Sequence, residues 1–101
     1  MTTQQNLMSG DGWYAAVEGR SASDPDRGYY AAPKEDQAKL RYAPVIAWER
    51  YTEADGTPMM RAWLSGQSPI ASDRFPEECR SYFINHFVPE QPEGTRSFIW
   101  A

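Results

Sequence analysis

Residues 44–66 constrain the fold more than any other part of the chain. Two runs rich in β-branched and aromatic residues, 44–53 and 57–64, flank Ala54-Asp55-Gly56. Strand-forming runs on either side of an Asp-Gly are a strong local signal for a β-hairpin. How that hairpin closes matters, because a slip of one residue exchanges its two faces.

A two-residue turn on Asp55-Gly56 sets Arg50 opposite Arg61 and Trp48 opposite Trp63. Like charges directly across a strand pair are unfavourable unless an anion lies between them. A three-residue loop, Ala54-Asp55-Gly56, avoids that pairing and puts Gly56 where a left-handed bulge is needed. It is the preferred reading. Glu49 then faces Arg61, Tyr51 faces Met59 and Ala47 faces Trp63, while Ile46, Trp48, Met60, Ala62 and Leu64 make a core face. The two-residue turn would instead expose a Trp-Arg ladder able to hold an anion or stack on a base.

At 101 residues the chain has room for one domain. Residues 1–11 are small and polar and read as a flexible leader, leaving 12–101 as a single globular domain. An aromatic share of 14% argues for a packed core despite a mean hydropathy of -0.72. The net charge is -4, from 14 acidic and 10 basic residues. That balance disfavours nonspecific nucleic-acid binding and anionic membranes, both of which need clustered Lys and Arg. A single cysteine, Cys79, excludes an intramolecular disulfide. With no signal-like or membrane-spanning run, a cytoplasmic setting is expected.

Along the chain, residues 12–18 alternate as a first strand, and 19–28 are a loop by composition. Residues 33–42 can form a short helix opening on Pro33, although only Ala38, Leu40 and Tyr42 are available to bury, so an irregular crossover fits equally. Pro76 followed by Glu77 and Glu78 signals a helix start. Cys79, Tyr82, Phe83, His86 and Phe87 then recur at spacings of three and four, which predicts a helix over about 76–88. Residues 97–101 read as a last short strand. The expected fold is α+β, a small antiparallel sheet around the 45–64 hairpin with one principal helix packed on one face.

No pattern for catalysis emerges. Cys79 and His86 are the only thiol and imidazole, and two helical turns would hold them roughly 10 Å apart, too far for a nucleophile and its base. Asp24 and Asp26 lack further metal ligands nearby, and turn chemistry accounts for them. Leu64-Ser65-Gly66-Gln67-Ser68 lacks the Lys of a phosphate loop. Neither cofactor nor metal is expected, and the chain reads as a non-enzyme. Arg20, Arg27, Lys34, Lys39 and Arg41, interleaved with Tyr29, Tyr30 and Tyr42, could line a nucleic-acid groove. However, Asp24, Asp26, Glu35 and Asp36 cancel most of that field.

What remains is aromatic surface. Four Trp and six Tyr exceed what one small core needs, and Trp, Tyr and Arg are enriched at interface hot spots. The candidate partner-binding residues are Tyr29, Tyr30, Glu49, Tyr51, Glu53, Asp55, Met59, Arg61 and Trp63. Size, acidity, aromatic richness and the missing catalytic set resemble the general character of small phage-encoded inhibitors such as anti-CRISPR proteins. The resemblance implies binding to a larger, nucleic-acid-handling protein complex, with Glu35, Asp36, Glu49, Glu53 or Asp55 competing for its channel. The alternatives are a homodimer using the same sheet face, as a structural or accessory protein, and a nucleic-acid binder working through residues 20–42.

Overall fold

The hairpin forms in the expected register, and the sheet grows outward from its first strand. The computed structural model describes residues 7–66 and 68–98. Within them the chain forms β1 (Leu7–Ser9), β2 (Tyr14–Gly19), β3 (Leu40–Thr52), β4 (Pro58–Leu64), β5 (Ile70–Ala71), α1 (Phe75–Glu78), β6 (Tyr82–Val88) and β7 (Arg96–Ser97). Across β3 and β4, Glu49 pairs with Arg61, Tyr51 with Met59 and Ala47 with Trp63. Glu53 N–H donates to the Thr57 carbonyl at 2.9 Å, closing the loop on Ala54-Asp55-Gly56. Gly56 has φ 89°, the left-handed region that a residue with a Cβ enters only at a cost.

The sheet order is β5-β4-β3-β2-β6, antiparallel throughout this path. β1 pairs with β3 at residues 47–49, which also pair with β4, so β1 must lie on the other edge, in line with β2. β7 joins β3 in parallel at Arg41 and Tyr42, in line with β4. Both edges of β3 are therefore occupied along most of its length.

One face of this sheet carries the core. Ala15 and Val17 from β2, Ala43 and Val45 from β3, and Ala62 and Leu64 from β4 pack with Ile70, Phe75 and Phe98. Tyr82, Ile84 and Phe87 of β6 join them at the margin, with Trp48 and Cys79. Trp48 meets Phe87 and Trp13 edge-on, at 5.1 and 5.9 Å between ring centroids, a geometry that suits the ring quadrupoles.

The expected α+β arrangement is overturned. Among the described residues strand accounts for 47% and helix for 11%, with no long helix. The helix over 76–88 starts where Pro76 places it but lasts a single turn, ending at Cys79, which has a non-helical backbone. Residues 82–88, Tyr-Phe-Ile-Asn-His-Phe-Val, are strand formers and pair with β2 as β6. Asn85 is an extra residue without a partner between Ile84 and His86. This bulge moves the core-facing position from Tyr82 and Ile84 to Phe87, and the resulting spacing imitates a helical stripe.

A second bulge, at Ile46 between Val45 and Ala47, turns Ile46 out of the expected core face, and it is 44% exposed. Met60, also expected there, runs past the covered part of the face and is 49% exposed. The helix over 33–42 reduces to a 3-10 turn, Lys34–Asp36, before β3 begins. Leu7–Ser9, within the expected leader, pair with β3. Of the last strand over 97–101, Ser97 pairs in β7 and Phe98 is buried, while 99–101 lie outside the described residues.

Candidate functional site

The outer face of the hairpin, away from the core, gathers a charged and aromatic cluster. Alternation brings Glu49 and Tyr51 of β3 to the same face as Met59, Arg61 and Trp63 of β4. The pairing of Leu7 with Glu49 adds β1 to that face, and the bulge adds Ile46. Leu7, Ile46, Ala47, Glu49 and Trp63 line a shallow hollow of about 310 Å³.

Arg61 sits at the centre. Its Nε donates to Glu49 Oε1 at 2.7 Å and its Nη1 to Asp73 Oδ2 at 3.1 Å. The guanidinium lies 4.5 Å from the Tyr51 ring and 5.9 Å from that of Trp63, within cation–π range. Trp63 Nε1 donates to the same Glu49 oxygen at 2.9 Å. These contacts fix one another. The Arg61 hydrogen bond, with a second from Trp63, holds the Glu49 carboxyl below the usual carboxylate range. Glu49, seconded by Asp73, holds the guanidinium in its charged form.

At the hairpin tip, the Thr57 side chain, and after it the Thr57 N–H that donates to Asp55 Oδ1 at 2.9 Å, lower that carboxyl too. Glu53 stands exposed beside it. Neither tip carboxylate has a cation partner among the described residues.

Of the nine sequence candidates, the structure gathers Glu49, Tyr51, Met59, Arg61 and Trp63 on this face, with Glu53 and Asp55 at its end. Tyr29 and Tyr30 lie elsewhere. Tyr29 pairs with Asp24 and carries the Arg20 guanidinium 4.0 Å above its ring. Tyr30 N–H donates to the Arg80 carbonyl beside the start of β6, at the end of the sheet away from the hairpin tip. Leu7, Ile46 and Asp73 were not anticipated. Leu7 stood in a polar leader and Ile46 behind a bulge, while Asp73 reaches Arg61 only because β5 folds back on β4.

The chemistry of the remaining polar groups is modest. Cys79 packs against the core, and burial, then the Glu78 charge, pushes its thiol up. His86 pairs with Ala16 on the opposite face of the sheet, so no thiol–imidazole pair forms. Among the described residues no three His, Cys, Asp or Glu side chains converge on a common point. No helix among them is long and apolar enough to cross a membrane. In the Arg/Tyr segment, Arg27 contacts Asp24 at 3.4 Å and Arg41 contacts Asp36 at 2.6 Å.

Compared with protein-family models, with curated proteins and with solved structures, the chain matches none.

Proposed function

We propose that the protein is a non-enzymatic binding module whose outer hairpin face docks on a larger protein. The observation that carries this reading is Arg61, held between two carboxylates and against Tyr51 within an otherwise apolar patch. Leu7 is 55%, Ile46 44% and Met59 38% exposed around it. Large side chains held by one another lose little freedom on binding, so contact area converts efficiently into affinity. Glu53 and Asp55 at the tip favour a partner with basic groups at the matching rim. A nucleic-acid-handling protein fits this description, its channel taking these carboxylates in place of phosphates.

The test compares immobilised wild type with the Tyr51→Ala/Met59→Asp double variant and with Tyr30→Ala, each checked for native circular dichroism. The expected result is a protein captured by wild type and Tyr30→Ala, with affinity for the double variant reduced roughly tenfold or more, as for hot-spot truncations. Equal capture by the double variant would remove the hairpin face from the interface. Light scattering accompanies the comparison: a wild-type dimer that Met59→Asp dissociates assigns the face to self-association instead.

A further inference from the structure

A second polar site lies at the other end of β3. There Lys39, Leu40 and Arg41 meet Gly94, Thr95 and Arg96 around a cleft of about 380 Å³. In the parallel β3–β7 register Arg41 stands directly beside Arg96. Neighbouring like charges of this kind are destabilising unless an anion intervenes. Lys39, two residues before Arg41, adds a third cation.

The local countercharge does not balance them. Asp36 contacts Arg41 at 2.6 Å, and its second oxygen accepts from the Tyr82 hydroxyl at 2.8 Å. Arg96 and Lys39 have no acidic partner among the described residues. Of these three cations only Arg41 contacts a carboxylate among the described residues, on a chain whose net charge is -4. The backbone is strained at the same place: Ala38, immediately before Lys39, has φ 58°, a conformation that costs an L-residue energy. Its N–H donates to the Gly19 carbonyl at 3.1 Å, which fixes where the following lysine leaves the chain.

We infer that this cleft binds a small phosphorylated molecule through Lys39, Arg41 and Arg96. Two guanidiniums and an ammonium suit a doubly charged phosphate, whose oxygens accept from the planar arginine forks. The volume lies within the roughly 300–1,000 Å³ of small-molecule sites, leaving room for an organic group beyond the phosphate. Thr95 takes no part in recognition, because its hydroxyl already donates to the Pro92 carbonyl. A long polyanion is disfavoured by the overall negative charge, whereas a small anion responds chiefly to the local field at ordinary salt.

The experiment titrates the ¹⁵N-labelled protein with ribose 5-phosphate, inorganic phosphate and a single-stranded oligonucleotide, in chloride buffer. Wild type is compared with Lys39→Gln and Arg96→Gln, surface changes that leave the core intact, and with Arg27→Gln as control. Saturable shifts confined to residues 38–41 and 94–97 are expected with ribose 5-phosphate, at an affinity equal to or better than that for inorganic phosphate. Each cleft variant should bind about tenfold more weakly, the loss of one charge-assisted contact, while Arg27→Gln binds as wild type does. Absence of saturation at concentrations on the order of 10 mM, or undiminished binding by Arg96→Gln, would overturn the assignment. So would an oligonucleotide that binds more tightly per phosphate than ribose 5-phosphate, since it would give the cleft to nucleic acid.

Discussion

The oxygen Oε1 of Glu49 accepts two hydrogen bonds, from Arg61 and from Trp63, and this concentration of donors makes the residue pH-sensitive. Because the carboxyl titrates lower in the folded protein than in the unfolded chain, its contribution is complete above the ordinary glutamate range. It drains away as pH falls through the lowered value. Glu49→Gln is accordingly expected to be less stable than wild type at pH 7, with the gap narrowing by pH 3, as measured by urea unfolding at the two pH values. A gap that stays constant would show that the carboxylate charge contributes nothing. The Glu49–Arg61 contact was legible from residue types alone, since the alternative hairpin register forces Arg50 onto Arg61. Asp73 was not legible. No local rule connects it to Arg61, and only the return of β5 brings them together.

Strands in this chain are disguised by their bulges. Val45 and Trp48 both face the core although three residues apart, as do Ile84 and Phe87, because one unpaired residue stands in each interval. A strict period of two therefore fails where the strands bend, and a spacing of three resembles a helix. The helix start at Pro76 was readable because a proline's fixed φ and acidic first-turn residues, Glu77 and Glu78, act locally. The helix end was not, because pairing with β2 overrides it. β1 shows the same limit: its polar surroundings hid a strand that is pinned by Gly10. A Cβ at Gly10 would lie 2.6 Å from Val45 Cγ1 and 2.7 Å from the Val45 carbonyl oxygen. Gly10→Ala is expected to cost about 1–3 kcal/mol, the range for overpacking, and to release β1. Amide exchange would show this as lost protection at β1 while β2 and β6 retain theirs; unchanged protection at β1 would contradict it.

At the scale of the molecule, the described chain is elongated, with principal extents of 51 × 36 × 23 Å. The outer hairpin face and the cleft around Lys39, Arg41 and Arg96 occupy opposite ends of β3, so a substitution at either should leave binding proposed for the other unchanged. β3's pairings also differ in how far apart in the chain their partners lie. Its pairing with β4 needs only a short loop to close, whereas β1, β2 and β7 are recruited from distant parts of the chain. Loop closure favours the near partner, and the hairpin should be the nucleus on which the remaining strands condense. Ala62→Gly in β4 should therefore slow refolding, while Phe98→Leu, beyond β7, should chiefly accelerate unfolding. Stopped-flow measurements in urea would separate the two limbs, and the reverse pattern would place the nucleus outside the hairpin. A chain whose central strand waits for both flanks passes through states with one bare edge, and its yield on refolding should fall as protein concentration rises.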